Sequence, residues 1–276
     1  MMYPNFQKAV EKCKSDLLTR SYEIFPSHWQ GVEVSNKPEM AMREILNTSL
    51  TVPVWTDLLA PLQKDIEPNL PWADDHFDER VCGQPLNPGV TWKTWPWGHN
   101  AEKFMADGMY NHSYAERYFP RLADKLGPLI VPMNEENWEH AETCLPHSGI
   151  RYEYGDLNDV LDLLEREPLT RQAYLPIFFP EDTGAVHGDR IPCSLGYHFI
   201  LRHGYLHCVY YLRSCDFVRH FRDDLYLTVR LMLWVLEKLK DKSERWNSAQ
   251  PGTLTTHITS LHMFKNDYIQ LTKKPS

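Results

Sequence analysis

Residues 196–213 read GYHFILRHGYLHCVYYLR, and this stretch indicates the fold more clearly than any other part of the chain. Two runs of aromatic and β-branched residues flank a turn that contains Gly204. This pattern predicts a β-hairpin, because glycine tolerates the backbone angles that a tight turn requires. The second strand of the hairpin should place Arg213 at a strand end.

Helical patterns lie on both sides of the predicted hairpin. The sequence FRDDLYLTVRLMLWVLEKLK over 221–240 is apolar almost all round in its first four turns, which predicts a largely buried helix. Residues 4–21 have the periodicity of an amphipathic helix. Since helix and sheet are both substantial and a strand pair is adjacent in sequence, the expected class is α+β, as a single domain over residues 1–276.

The segment upstream of the hairpin predicts a helix and a strand. DLNDVLDLLERE reads as a helix with Asp156 as its N-cap, closed by Pro168, and AYLPIFF reads as a short strand after it. Residues 51–100 are rich in proline and tryptophan and have little periodicity, so they are expected to be irregular.

Composition excludes several classes of protein. A chain of 276 residues with 42% apolar and 24% charged residues suits a soluble globular protein, and no apolar run is long enough to span a membrane. The net charge of −8 argues against direct nucleic-acid binding, which depends mainly on excess lysine and arginine. The start of the chain lacks a secretory pattern, so a cytoplasmic location is expected, in the host cytoplasm if the source is a virus.

The cysteines show no metal-site spacing, because no CxxC pair or cysteine–histidine cluster occurs. We therefore expect free thiols in a reducing compartment and no metal cofactor. The six positions are Cys13, Cys82, Cys144, Cys193, Cys208 and Cys215.

One cysteine lies where several reactive groups should converge. Cys193 follows Pro192 just before the hairpin, and the sequence Arg213, Ser214, Cys215, Asp216 closes the hairpin. Taken singly, Cys193 could be a small buried hydrophobic residue and Arg213 a surface cation. Together they bring a thiol, a guanidinium, a hydroxyl and a carboxylate to one place.

Four ordered segments resemble those of the thymidylate synthase and deoxycytidylate (dCMP) hydroxymethylase family. They are PLTRQAYLPIFFPED, IPCSLGYHF, YLRSCDFVRHFRDD and SLHMFKND, and the resemblance covers about residues 150–270. It implies a thymidylate synthase-like fold, in which a large mixed twisted sheet is flanked by helices. In this family two such sheets pack back to back in a homodimer.

The resemblance assigns Cys193 as the nucleophile that attacks C6 of a pyrimidine nucleoside monophosphate, after which C5 takes a one-carbon unit from 5,10-methylenetetrahydrofolate. Arg213 and Ser214 match the positions that hold the nucleotide phosphate. Arg171 matches an arginine that reaches the phosphate from the partner subunit. Many members have a second arginine after it, where this chain has Gln172, so one cation is missing.

Asp224 matches the position that reads the edge of the base, where uracil-specific members carry asparagine. Cytosine presents an acceptor at N3 and a donor at its 4-amino group, and a carboxyl group can match this pattern. Aspartate here implies a cytosine nucleotide, as in the dCMP hydroxymethylases. The alternative is that Asp223 and Asp224 cap the following helix, and of the two Asp223 is better placed to cap.

Two further segments supply nucleotide-site candidates by resemblance. His262 and Phe264 match a histidine and a tyrosine that hold the sugar hydroxyl, but Phe264 lacks that hydroxyl, and His262 could be a structural histidine. Tyr114 matches a tyrosine near the nucleophile, with Tyr110 as the alternative.

The remaining candidates concern proton transfer and folate. The catalytic glutamate of the family should lie in WADDHFDERVCG, where we assign Glu79, with Asp75 as the alternative. Asp216 matches a position near both folate and pyrimidine, and its alternative is a turn or cap at the hairpin end. Trp97 or Trp95 should form a wall of the folate site.

The product depends on whether water or hydride reaches the exocyclic methylene group at C5. The terminal residues TKKPS do not resemble the apolar tail with which thymidylate synthases close over folate, which favours water and a hydroxymethyl product. Conversion of dCMP to 5-hydroxymethyl-dCMP is therefore the leading hypothesis. Next come a dCMP methyltransferase, a dUMP enzyme, and a non-catalytic nucleotide-binding relative. The biology implied is cytosine modification by a virus such as a bacteriophage, or nucleoside biosynthesis.

Overall fold

A computed structural model describes residues 1–29, 32–98, 102, 105–106, 108–120, 155–183 and 190–273. Seven α-helices lie in these ranges. They are α1 (Phe6–Arg20), α2 (Leu59–Ile66), α3 (Trp72–Arg80), α4 (Tyr114–Tyr118), α5 (Leu157–Arg166), α6 (Phe221–Lys242) and α7 (Lys265–Lys273). Short 3₁₀ helices occupy Pro38–Met40, Val90–Thr94, Pro180–Asp182 and Glu244–Trp246.

The central element is a six-stranded mixed sheet in the order β1-β4-β10-β9-β8-β7. Its strands are β1 (Tyr22–Ile24), β4 (Met42–Pro53), β7 (Tyr174–Pro176), β8 (Ser194–Arg202), β9 (Tyr205–Asp216) and β10 (Gln250–Phe264). Neighbours pair antiparallel except β9 and β10, which pair parallel. Two small hairpins complete the strands, namely β2 (His28–Trp29) with β3 (Val32–Glu33) and β5 (Met105–Ala106) with β6 (Met109–Tyr110).

The hydrophobic core lies between one face of this sheet and the helices, of which α6 packs against β9 and β10 and α1 packs against β4. Fully buried residues from both layers, such as Phe6, Leu50, Phe199 and Leu231, interlock there. On the opposite face, side chains such as Tyr211 and His257 remain partly or fully exposed. The α+β class expected from the sequence is confirmed.

The predicted hairpin is confirmed as β8 and β9. Arg202 pairs with Tyr205, so the loop has two residues, His203 with φ 51° and Gly204 with φ 80°. Positive φ at both central positions is the turn geometry that matches the twist of the flanking strands. The parallel pairing of β9 with β10 then brings Asp216 opposite His262.

The helix predicted after Asp156 is confirmed as α5, in which the Asp156 side chain accepts from the backbone N–H groups of Asn158 and Asp159. The first predicted helix is also present, over Phe6–Arg20. The strand predicted as AYLPIFF is present but shorter, as Tyr174–Pro176.

The expectation that residues 51–100 are irregular is wrong in part. This segment contains the end of β4, the helices α2 and α3, and the 3₁₀ helix Val90–Thr94. In α3 the apolar stripe is short and is completed by a buried arginine, Arg80, rather than by another apolar residue. Hydrophobic periodicity alone therefore does not predict this helix.

Candidate active site

The thiol of Cys193 and the guanidinium of Arg213 meet at one end of the β8–β9 pair. Arg213 Nη2 lies 3.9 Å from Cys193 Sγ, and the Arg213 backbone N–H donates to the Cys193 carbonyl at 2.9 Å. The strand register produces this contact, because Ser194 pairs with Leu212 in the antiparallel ladder. The convergence expected from the sequence is therefore present in the fold.

Opposing influences act on the Cys193 thiol. Burial raises its pKa, Arg213 lowers it, Asp224 raises it, and Arg190 lowers it. The thiolate is the reactive form of cysteine, so the two cations favour nucleophilic attack and the carboxylate opposes it. The reactivity of this thiol thus depends on the charges around it.

The Arg213 side chain is held in place by backbone carbonyl groups. Its Nε donates to the Pro192 carbonyl at 2.8 Å and its Nη2 donates to the Ile191 carbonyl at 3.0 Å. Next to it, Ser214 Oγ lies 3.5 Å from His262 Nδ1. The structure thus gathers Arg213, Ser214 and His262, three of the predicted nucleotide-binding residues, on one side of Cys193.

Arg171 is placed differently from the other nucleotide-site candidates. It is exposed just before the edge strand β7, and its carbonyl accepts from His198 Nε2 at 3.0 Å. Among the described residues, none of the pocket side chains contacts its guanidinium. Within the described residues, the guanidinium of Arg171 is therefore exposed and separate from the cluster around Cys193.

Asp224 lies in the first turn of α6, and its charge reaches the Cys193 thiol, whose pKa it raises. The thiol of Cys215 donates to its Oδ2 at 3.4 Å. Burial raises the pKa of Asp224 to about 7, while the buried cation Arg80 acts to lower it. Such a carboxyl group exchanges its proton near neutral pH.

The alternative assignment, in which Asp223 and Asp224 cap this helix, is wrong. The N-cap is His220, without a side-chain capping bond, and Asp223 accepts instead from the backbone N–H and the side-chain amide of Asn69, both at 2.8 Å. Asp223 is buried by these contacts and joins α6 to the loop before α3. Neither aspartate is used as a cap, so Asp224 is free to face the pocket.

Tyr114 contacts the residue that follows the nucleophile in the chain. Its hydroxyl is 2.9 Å from Ser194 Oγ, which is 2.6 Å from the Tyr210 hydroxyl. Ser194 is fully buried and follows Cys193 in the chain, so three hydroxyl groups form a continuous chain beside the thiol. Tyr110, the alternative, has a buried hydroxyl with no hydrogen-bond partner among the described residues.

Glu79 is engaged in a structural contact. Its carboxylate accepts from the Thr91 N–H at 3.0 Å and from Thr91 Oγ1 at 2.8 Å, and the close approach of Gly89 leaves no room there for a side chain. These bonds hold the 3₁₀ helix Val90–Thr94 against α3. Asp75 is exposed. The contacts described for Glu79 do not reach Cys193, Tyr114 or Asp224, which favours a structural role.

Arg219 connects two residues predicted for the folate site, Asp216 and Trp97, with Phe264, which was predicted for the sugar site. It pairs with Asp216 at 3.0 Å and with Asp267 at 2.6 Å, and its guanidinium lies 5.4 Å from the Trp97 ring centroid and 4.8 Å from that of Phe264. Asp216 also accepts from the N–H groups of the turn that follows it, as its alternative assignment predicted. Asp216, Trp97 and Phe264 thus form one cluster.

The tryptophans of this region have unpaired polar groups. The indole Nε1 atoms of Trp95 and Trp97 are buried, and neither has a hydrogen-bond partner within the described ranges. Trp95 stacks on His220 with ring centroids 5.4 Å apart. Buried donors without partners are costly, so these two are candidates for ligand contacts.

Four residues of the site were missed from the sequence: Arg80, Arg190, Ser194 and Tyr210. Arg190 stands three residues before Cys193, and its guanidinium lies 5.6 Å from the Tyr110 ring. Its nearness in sequence to the cysteine was an available signal. Nothing in the local pattern around Arg80 indicated that its charge points into the fold.

No group of three or more histidine, cysteine, aspartate or glutamate side chains within the described residues could hold a metal ion. The helices in the same part of the chain are all too short or too polar to cross a bilayer. Cys144 lies outside the described residues.

Comparison with known proteins agrees with the resemblance found in the sequence. No family model matches the chain. The chain is 28% identical over 151 residues to a putative thymidylate synthase of Methanosarcina barkeri, a match that covers 54% of this chain and 63% of that protein. It is 25% identical over 172 residues to a putative thymidylate synthase of Methanococcoides burtonii, covering 60% and 69%.

The structural comparison covers the whole chain. The thermostable thymidylate synthase A of Bacillus subtilis superposes with a TM-score of 0.60 at 12% identity, covering 100% of this chain and 86% of that one. At this identity the likeness concerns the fold. The chain therefore has the thymidylate synthase fold, and over about half its length its sequence is similar to those of two putative thymidylate synthases.

Proposed function

We propose that this protein transfers a one-carbon unit from 5,10-methylenetetrahydrofolate to C5 of a cytosine nucleotide, converting dCMP to 5-hydroxymethyl-dCMP. The observation that carries the proposal is the meeting of three groups in one pocket: the Cys193 thiol, the Arg213 guanidinium 3.9 Å from it, and the Asp224 carboxyl on the adjacent helix. The thiol suits attack on a ring carbon of a pyrimidine nucleotide. The guanidinium suits its phosphate, and the carboxyl group suits the edge of its base.

The nucleotide is activated by Cys193. Its thiolate forms a bond to C6, and the electron pair of the C5–C6 double bond moves to C5, which becomes nucleophilic. Arg213 and Ser214 hold the phosphate, and Arg171 of the partner subunit contributes a further guanidinium. Arg190, which lowers the pKa of the same thiol, is the candidate to replace the cation missing at Gln172.

Cytosine is selected by Asp224. One proton shared between the carboxyl group and ring N3, together with a hydrogen bond donated by the 4-amino group, satisfies both oxygens. A pKa of about 7 keeps that proton available near neutral pH. Sites that depend on such buried hydrogen bonds can discriminate between substrates by factors of about 10⁴, because a mismatched base leaves polar groups unpaired.

The described residues fit a folate at the other side of the pocket. Its pterin ring is flat and polar at its edge, and it suits a site with two indole rings whose buried N–H groups lack partners. Trp97, Asp216 and Trp95 would hold it. When bound, it supplies the methylene group that C5 takes up.

The sugar is held by His262, while Phe264 packs under Arg219 and offers no hydroxyl. Burial lowers the pKa of His262, which keeps its imidazole neutral at pH 7 and able to donate one hydrogen bond. With this single polar contact, discrimination between deoxyribose and ribose should be weaker than in a site with a tyrosine at position 264.

Two copies of the chain form the active unit. The sheet face away from the helices carries stacked rings, such as Tyr211 and His257 with centroids 5.4 Å apart, which a second sheet would cover. Packing of this face against its equivalent would place Arg171 near the partner's pocket. Such a symmetric arrangement is the commonest form of homodimer.

The decisive experiment is mass spectrometry of products from dCMP, CMP and dUMP, each incubated with methylenetetrahydrofolate. We expect dCMP to gain a hydroxymethyl group and dUMP to react far more slowly. The Asp224→Asn variant should reverse this preference, because an amide complements uracil. A methyl product with dihydrofolate would show a methyltransferase instead, and an unchanged preference in the variant would exclude the role of Asp224.

A catalytically inactive nucleotide-binding protein is the competing class. Exchange of the C5 proton of the nucleotide for solvent hydrogen separates the two, since exchange requires attack by the thiolate at C6. We expect exchange in the native protein and none in Cys193→Ser.

A further inference from the structure

Arg80 is a buried cation beside the proposed base pocket. It is the last residue of α3 and is 5% exposed. Its Nε donates to His76 Nε2 at 3.0 Å. This nitrogen is therefore unprotonated, and the His76 ring provides no negative charge to balance Arg80. Within the described part of the chain, no carboxylate forms an ion pair with Arg80. Burying an unpaired charge is costly, which calls for a reason within the site.

The guanidinium of Arg80 faces residues of the pocket. Its central carbon lies 3.9 Å from the centroid of the Tyr114 ring. The hydroxyl of that tyrosine is 2.9 Å from Ser194 Oγ, next to the nucleophile. The positive charge of Arg80 also acts to lower the pKa of Asp224.

We propose that Arg80 is a positioning residue of the base pocket, whose guanidinium fixes the ring of Tyr114 and provides the buried positive charge that faces the Asp224 carboxyl group. This inference rests on the proposed function only in calling the pocket a base-binding site. The contact with the tyrosine ring is a cation–π interaction, which is strengthened when water is excluded.

The positive charge has a chemical purpose. Burial alone favours the neutral form of Asp224, and a carboxyl group that never ionises could not exchange a proton with ring N3. Apart from the cation Arg213, which lies beside Cys193, the other titratable groups that act on Asp224, or on which it acts, are thiols, hydroxyls and carboxyls. They are Cys215, Asp223, Asp216, Tyr114, Tyr210 and Cys193. Burial, Asp223 and Asp216 raise the pKa of Asp224, whereas Arg80 and the hydrogen bond from Cys215 lower it, and Arg80 is the larger of these two lowering influences.

The test measures the titration of Asp224 without any substrate. The full chain is labelled with ¹³C at the aspartate carboxyl carbons, and the Asp224 signal is assigned by its loss in Asp224→Asn. In Arg80→Gln we expect the titration midpoint to move upward by about one pH unit, because an opposite charge has been removed. Arg80→Lys, which keeps the charge, should retain the native midpoint.

Arg230→Gln is a matched control. Arg230 lies in α6, and its guanidinium carbon is 4.4 Å from the ring centroid of Phe77, which is in α3 like Arg80. It pairs with Asp74 and Asp78 of α3, away from the pocket. Its removal should lower stability and leave the Asp224 midpoint unchanged. A midpoint that moves equally in both variants would show a general loosening of α3 and would overturn the proposal.

An unchanged midpoint in Arg80→Gln would also overturn it. If that variant does not fold, Arg80→Lys decides: a native midpoint with reduced kcat supports the proposal, because Tyr114 has lost its stacking partner, and a midpoint about one unit higher contradicts it. The alkaline limb of kcat/KM for dCMP should follow the measured midpoint. A shifted midpoint in a protein that does not modify dCMP would refute the proposed function and leave the role of Arg80 intact.

Discussion

At the scale of single residues, the environment of Asp224 decides what the pocket can do. Within the described part of the chain it forms no salt bridge, and burial holds its pKa near 7, far above the ordinary value of 3.8. Its neighbour Asp223 is bound differently, because both of its carboxylate oxygens accept hydrogen bonds from Asn69. Two adjacent aspartates in one helical turn thus serve different purposes, one structural and one available for a ligand.

This difference predicts how stability depends on pH. A carboxyl group whose pKa is raised by folding makes the folded state less stable as the pH rises from the unfolded to the folded value. Between pH 5 and pH 8, Asp224 should therefore cost the native protein about 3 kcal/mol of unfolding free energy that Asp224→Asn does not lose. Urea unfolding of both proteins at the two pH values measures this. Parallel losses in the two proteins would show that Asp224 is not buried as described.

At the scale of elements, the edge strand β7 connects the fold to the proposed phosphate site. Gly196 in β8 pairs with Pro176, and a side-chain carbon at this glycine would lie 2.7 Å from the Leu175 carbonyl and closer still to the Tyr174 hydroxyl. No side chain fits there unless β7 moves. Arg171 precedes β7 in the chain. The position of Arg171 therefore depends on residue 196 of β8 being glycine.

Gly196→Ala should therefore weaken both stability and nucleotide binding. We expect a loss of about 1–3 kcal/mol, the usual cost of inserting atoms into packed structure, and a higher KM for dCMP with little change in kcat. Chemical denaturation and steady-state kinetics measure the two effects. Gly155→Ala is the control, since among the described residues its added carbon would meet Asp159 alone, at an ordinary 3.6 Å. Native behaviour of Gly196→Ala would mean that β7 adapts freely.

At the scale of the whole molecule, the sheet separates two surfaces with different uses. Helices and the pocket lie on one side, and the other face carries partly or fully exposed rings such as Tyr211 and His257. Arg171 is exposed at the edge of this sheet. A pocket completed by a second copy would explain why no pocket side chain among the described residues contacts the guanidinium of this arginine.

Subunit mixing tests the shared pocket. Cys193→Ala and Arg171→Ala should each be nearly inactive as homodimers, and a refolded equal mixture should recover about a quarter of native activity, because half of the dimers contain one intact site. Mixing Cys193→Ala with Arg213→Ala should recover nothing, since both residues belong to the same subunit's side of the pocket. Equal recovery in the two mixtures, or none in either, would exclude the cross-subunit role of Arg171.

The elements with strong local patterns could be predicted from the sequence, and those stabilised by distant contacts could not. The β8–β9 hairpin and α5 follow from a two-residue turn and an aspartate cap, which act within a few residues. Helix α3 was not predicted, because Arg80 completes its buried face through contacts with Tyr114 and His76 that no local pattern contains.

For the site, the sequence by itself determined the pairing of a thiol with an arginine and the presence of Asp224, because the hairpin joins Cys193 to Arg213 and the following helix begins shortly after. Only the tertiary structure decided that Glu79 is bound to Thr91, that Asp223 is bound to Asn69, and that Arg80 faces the pocket. These outcomes depend on which hydrogen-bonding or charged groups the fold places next to each buried side chain. Hydrogen bonds and charges between residues distant in the chain therefore required the fold.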